Sequence, residues 1–235
     1  MKLITIVGDS LSMVRPWDGI LYKDTYVYKL QELLNNNYII IHYSERANNI
    51  LLEYNRVVGQ DGMLYSQPDI IIIHLGIVDC APRLFSQQKH QILNFLSSLT
   101  IFNSITSFYM QFKSKHRRFF TKNFPKTYVP IEIFKDKFEY LINEIRKNTN
   151  AKVLIINIAD TNKINKARSY GFEKNILEYN QILEDLVNDN KDICSLINFF
   201  ELTNLNKHLI LEDGIHLSKM GHEILAKILF KKIIC

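Results

Sequence analysis

Short apolar, β-branched runs alternate with segments of helical periodicity along most of this chain, and that alternation restricts the fold more than any other feature. The runs lie at 2–7, 38–43, 70–75, 152–158 and 193–199. Between them, 26–34, 50–66, 131–148 and 172–187 read as helices, the second with a break near 59–62. In 131–148, for example, Ile133, Phe134, Phe138, Leu141, Ile142 and Ile145 fall on one face. Strands separated by helices pair in parallel and carry helices on both faces. The expectation is therefore an α/β fold, a three-layer α/β/α sandwich around a mainly parallel five-stranded sheet. The 70–75 run is interrupted only by His74 and reads as a central strand buried on both faces. The 193–199 run reads as an edge strand. A final helix is expected through residue 234, capped by Ser218, with Glu223 early and Lys231 and Lys232 late, as a helix dipole favours.

Bulk properties narrow the class. The 235 residues suit one domain spanning 1–235, and no linker or repeat divides them. Apolar residues make up 47% of the chain, enough to bury a core. No stretch approaches the ~18 apolar residues of a membrane span. The first strand begins at residue 2 with no signal-peptide pattern, so the expectation is a cytoplasmic protein. Cys80, Cys194 and Cys235 are too scattered for a disulfide framework and read as free thiols. A net charge of +5 permits an anionic partner without calling for nucleic acid. No metal-ligand spacing, phosphate-binding loop or dinucleotide fingerprint is present, so no metal and no cofactor is expected.

The first strand runs directly into Gly8-Asp9-Ser10-Leu11. A serine just past that turn stands at the carboxyl edge of the sheet, where open α/β sheets bind ligands. Its hydroxyl is a weak nucleophile without a base. Asp213-Gly214-Ile215-His216 supplies a base and an acid three residues apart, able to pair locally before they meet Ser10. His216 would take the Ser10 proton and return it to the leaving alcohol, with Asp213 fixing the tautomer. His42, His74, His90, His116, His208 and His222 are the other histidines; His74 reads as a buried core residue and His222 as a packing residue of the last helix.

The two end motifs, with Gly76-Ile77-Val78-Asp79 between them, resemble the conserved blocks of the SGNH, or GDSL, hydrolases. The resemblance spans the chain but rests on about a dozen residues. It implies a flavodoxin-like sheet order and ester-hydrolase chemistry through Ser10, His216 and Asp213. It also implies an oxyanion hole from the Ser10 N–H, a backbone N–H in 44–49 and the segment at Gly76. The family places a glycine in the second of these. Here the sequence is Ser-Glu-Arg-Ala-Asn-Asn, and either Ala47 or Asn48 can take the position. Asn48 is the choice, because asparagine tolerates left-handed angles; the alternative is that it caps the following helix. Where the family has an asparagine donor this chain has Val78, which cannot donate. Loss of one such donor typically costs ~10²–10³ in turnover.

Around these motifs, Asp9, Arg15, Trp17, Val78, Asp79 and Arg83 are candidate substrate contacts. Arg83 would bring positive charge in place of the missing donor, or pair with a carboxylate. Arg15 and Trp17 would touch substrate, or serve only as a solvated base and a cap on the core. Cys80 reads as a buried thiol. Residues 85–130 form an insert that mixes aromatics with bases and holds no acid between Lys113 and Lys126. It reads as a helical excursion with a solvated basic face, or as a lid or docking surface for a membrane or a complex through 113–126.

The function expected is hydrolysis of a small O-acyl ester by a serine esterase. The variant segment at 76–83 resembles bacterial SGNH proteins linked to surface-polysaccharide synthesis, which points to an acylated sugar, a carbohydrate, as partner. Acyl transfer with the same three residues is the near alternative. A catalytically weak glycan-binding protein is the distant one, motivated by Val78.

Overall fold

The computed structural model describes residues 1–234, the side chain of Thr100 excepted. Five strands, β1 (Lys2–Gly8), β2 (Tyr38–Ser44), β3 (Ile70–His74), β4 (Lys152–Ile156) and β5 (Cys194–Ile197), form one sheet in the order β2-β1-β3-β4-β5. Every neighbouring pair is parallel. The strand order reverses direction at β1, so the crevice beside the end of β1 is the position where such sheets take ligands.

Alternation along the strands sets the two faces. Ile4 and Ile6 of β1, Ile72 of β3 and Leu154 and Ile156 of β4 point to one side. They pack against α1 (Tyr26–Leu34) and against the last helix, α11 (Lys219–Ile234), through Tyr26, Leu30, Leu225 and Leu229. Val7, Ile71, Ile73, Val153 and Ile155 point to the other side. There they meet α2 (Ile50–Val58), α7 (Ile131–Asn148) and α9 (Phe172–Asp189) through Ile50, Phe134, Phe138, Ile176 and Leu183. β3 is buried on both faces and β5 lies at an edge, as expected.

Four segments differ from expectation. The second helix stops at Val58, and 59–67 continues in turns. Residues 76–80, which the sequence reads as a loop at the carboxyl end of a strand, form a short helix at Ile77–Cys80, α3. The polar stretch after β4 contains α8 (Lys163–Arg168), capped by Asn162, and the last strand gives way to α10 (Phe199–Leu205), capped by Asn198. Helices of one or two turns show too few residues for periodicity to register; only their Asn caps announce them. The insert is helical throughout most of its length: α4 (Gln87–Ser98), α5 (Thr100–Lys115) and α6 (Arg117–Asn123). Among the described residues no helix is long and apolar enough to cross a membrane. Cys80 and Cys194 are free and buried; Cys235 lies outside the described residues.

Candidate active site

β1 ends at Gly8, where a side chain would lie 2.7 Å from Ser12 Oγ and 3.0 Å from Ser44 Oγ. A glycine is needed there for this close approach. Asp9 then caps a single 3₁₀ turn, Ser10–Ser12, by accepting from the Leu11 N–H at 2.8 Å. That turn sets Ser10 at the carboxyl edge of the sheet with its hydroxyl 3.0 Å from His216 Nε2. His216 Nδ1 lies 2.6 Å from Asp213 Oδ2. Asp213 Oδ1 accepts from the N–H groups of Ile215 and His216 at 2.9 and 3.0 Å, so the loop closes on its own carboxylate. Partial burial opposes the Asp213 charge. The bonds from the His216 imidazole and the two N–H groups outweigh it and hold the carboxyl well below the usual range.

The loop carrying Asp213 and His216 is held from outside. Leu211 N–H donates to the His216 carbonyl at 2.7 Å. Thr161, Asn162 and Asn165, in the stretch after β4, donate to the carbonyls of Gly214, Glu212 and Asp213 at 2.6, 2.8 and 2.7 Å. These three positioning residues were not singled out for this role by the sequence. Their one signal is a polar cluster at the carboxyl end of a core strand.

Arg15 enters this arrangement directly. Its Nη1 lies 2.8 Å from His216 Nε2 and its Nη2 3.4 Å from Asp213 Oδ2, while Nε is held by Asp18 at 2.7 Å. A guanidinium only donates, so His216 Nε2 is the acceptor here and its proton is on Nδ1, facing Asp213. Arg15 and Ser10 thus compete for one lone pair. The guanidinium also lies over Trp17, 5.3 Å from its ring, and Arg46 lies over the same ring at 4.6 Å. Trp17 is 59% exposed. The rim is an open indole flanked by two cations. Arg46 was not anticipated.

Other candidates are placed differently. Asn48 is fully buried and its side chain donates to the Gly8 carbonyl at 3.0 Å and to Glu53 at 2.7 Å. Its backbone N–H donates to the Glu45 carbonyl at 3.3 Å, closing a turn. The left-handed residue of that turn is Ala47, at φ 59°. Asn48 is a strut between β1 and α2, and Asn49, not Asn48, caps α2. Asp9 and Asp79 are 0% exposed and face the interior rather than a substrate. Asp79 accepts from the Ile50 N–H at 2.9 Å. Burial pushes both carboxyls up to about 7; for Asp9 the Asp79 charge adds to this, and for both Arg83 opposes it. Arg83 donates to the Val78 carbonyl at 2.9 Å and lies 4.1 Å over the Tyr128 ring, an internal brace rather than a rim cation. Val78 is buried. Gly76 is buried, at φ 125°, with the Ile158 side chain against it. Cys80 is buried and its thiol is pushed well above the ordinary range by that burial. His74 meets Tyr26 Oη at 3.3 Å in the core, and His222 Nδ1 accepts from the Tyr26 N–H at 3.1 Å.

No protein-family model matches this chain, and no curated protein does. Solved structures do. A lipase/acylhydrolase from Enterococcus faecalis is 13% identical with a TM-score of 0.67, covering 99% of this chain and 95% of its own. An acetyl xylan esterase is 19% identical with a TM-score of 0.65, over 98% and 99%. An acetylxylan esterase from Geobacillus stearothermophilus is 14% identical with a TM-score of 0.63, over 99% and 94%. Along nearly its whole length, then, the chain has the parallel α/β/α fold of SGNH-type acyl hydrolases.

Proposed function

We propose that the protein is a serine hydrolase of a small O-acyl ester carried by a sugar or a surface-polysaccharide precursor. The observation that carries this reading is the continuous chain from Ser10 Oγ to His216 Nε2 at 3.0 Å and from His216 Nδ1 to Asp213 Oδ2 at 2.6 Å. In the proposed reaction Ser10 Oγ attacks the ester carbonyl as His216 Nε2 takes its proton. The ionised Asp213 stabilises the imidazolium, which then protonates the leaving alcohol. Water, or an acceptor hydroxyl in the transfer variant, resolves the acyl-enzyme by the reverse route.

The N–H groups of Ser10 and Ala47 are the proposed oxyanion donors. Among the described residues neither has a hydrogen-bond acceptor. Asn48 is set aside because its N–H donates to the Glu45 carbonyl, and Gly76 because it is buried with the Ile158 side chain against it. With Val78 in place of a side-chain donor the hole has two donors, and turnover is expected to be low by ~10²–10³ against a three-donor site. Arg15 must leave His216 as the imidazole becomes charged, since two cations repel there; it and Trp17 then face the substrate. The sugar assignment is supported by the two acetylxylan esterases of like fold and by the exposed Trp17 ring, a flat apolar surface of the kind that covers a sugar face.

The test is acetate release from peracetylated xylose, followed with and without a free sugar acceptor. Wild type should release acetate, and His216→Ala should not. Asp213→Asn should fall by ~10⁴. Equal release by wild type and His216→Ala would reject the assignment, and acyl groups found on the acceptor would move it to transfer.

A further inference from the structure

The helical insert exposes its apolar side chains instead of burying them. Along α5, Ile101, Ile105, Phe108 and Phe112 recur at helical spacing, and the first three are 84%, 70% and 72% exposed. α4 adds Ile92 and Phe95, both more than half exposed. The two helices pack on each other, yet among their described side chains only Leu93 and Thr106 are buried. A monomeric surface rarely carries so large a contiguous apolar patch without a partner.

Charge selects the partner. From Cys80 through Ile131 the chain has no Asp or Glu, against eight Lys and Arg residues. Lys115, Lys122 and Lys126 are exposed. Two of the arginines are used as anchors: Arg117 donates to the Pro82 carbonyl at 2.5 Å and to Ser169 at 2.6 Å, and Arg118 donates to the Ala167 carbonyl at 2.6 Å. α6 therefore fastens the base of the insert to the body, and α4 and α5 project from it as a hairpin. An aromatic and aliphatic stripe in a segment whose lysines make no ion pair among the described residues is the composition of a helix that lies in a lipid interface. With no acidic side chain from Cys80 through Ile131, the segment complements an anionic partner.

We infer that α4 and α5 dock the protein on an anionic membrane surface, with Ile101, Ile105 and Phe108 in the acyl-chain boundary and the lysines at the headgroups. The hairpin is rooted at the carboxyl edge of the sheet: Asn49, next to the turn that carries Ala47, reaches Gln87 of α4 at 3.5 Å. Docking would hold the Ser10 edge near the lipid. The inference does not depend on the esterase reading, because binding is measured without substrate.

The test is co-sedimentation of the full chain with vesicles of phosphatidylglycerol and phosphatidylcholine, and with vesicles of phosphatidylcholine alone. Binding should need the anionic lipid and fall with salt. Each base at such a surface contributes roughly a fivefold factor, so Lys115→Gln, Lys122→Gln and Lys126→Gln together should weaken binding ~10²-fold. Ile105→Glu with Phe108→Glu should abolish binding while leaving the thermal midpoint unchanged, since both side chains face solvent. Equal binding to both vesicle types, or no binding to either, would overturn the inference. Self-association abolished by the same Glu pair, with no vesicle binding, would make the stripe a contact between copies of this chain.

Discussion

Gly221→Ala is the substitution for which local propensity and tertiary geometry give opposite signs. Gly221 lies in the first turn of α11, where alanine is favoured over glycine by about 1 kcal/mol. An added Cβ, however, would stand 2.0 Å from the backbone oxygen of Leu209. Contacts under 3.0 Å essentially never occur, so the helix and the 207–210 segment must separate by 3.0 − 2.0 = 1.0 Å or more. The obstacle is main chain and cannot rotate away. The same Leu209 carbonyl accepts from the Ser218 N–H at 3.0 Å, and the adjoining bridge pairs Ile210 with Leu217. Overpacking of this kind costs about 1–3 kcal/mol or more, and loss of the hydrogen bond about 1 kcal/mol. Set against the propensity gain, the net loss is about 1–3 kcal/mol, or a midpoint about 2–12 °C lower. The shift also reaches the His216 loop, where a displacement of 1 Å is worth ~10² in turnover. Urea and thermal melts of both proteins, with acetate release on the same samples, provide the comparison. A Gly221→Ala protein as stable as wild type or more so would refute the packing argument.

Three further outcomes follow from the site and its surroundings. Asp79 has a raised folded pKa of about 7 from burial, so its proton stabilises the fold below the unfolded value and this contribution is lost as pH rises toward 7; Asp79→Asn keeps an acceptor for the Ile50 N–H, and its stability should climb between pH 5 and 6 about 1.4 kcal/mol per pH unit more steeply than wild type, an identical slope in urea titrations being the contrary result. His74 and His222, pushed down to about 3 and about 4 chiefly by burial, act in the opposite sense and should make the variant acid-labile at pH 5. Arg15→Met frees the His216 lone pair and should raise turnover of a neutral ester such as 4-nitrophenyl acetate by up to about tenfold; a tenfold loss would make Arg15 a transition-state contact. In a Cys235→Ser background neither Cys80 nor Cys194 should react with Ellman's reagent until the protein is unfolded, because burial raises both thiols, Cys194 to about 11; native-state labelling would contradict their placement.

Much of the architecture was legible because it depends on short-range pattern. Isoleucine-rich runs bounded by turns became strands, and their period of two assigned residues such as Ile71 and Ile72 to opposite layers. Ser10, Asp213 and His216 were legible for a related reason: each sits in a local motif at an element's end, and the fold had only to bring the ends together. Neighbourhood in the chain carried over to the site for Arg15 but not for several other residues beside the motifs. Asp9 adjoins Ser10 yet turns inward to cap its turn, and Asp79 and Arg83 brace the floor beneath the site. The choice of Asn48 over Ala47 followed intrinsic tolerance of left-handed angles. In the structure the Asn48 amide donates to Gly8 and Glu53, and the left-handed angle falls at Ala47. The contact of Arg15 with His216 spans 201 residues, and no local rule could have paired them.

The most direct measurement is intact mass after exposure to a fluorophosphonate, on wild type and on Ser10→Ala. A serine activated by His216 should give wild type a single adduct, and Ser10→Ala none. An unmodified, well-folded wild type, or an adduct that persists in Ser10→Ala, would contradict the assignment of Ser10 as the nucleophile.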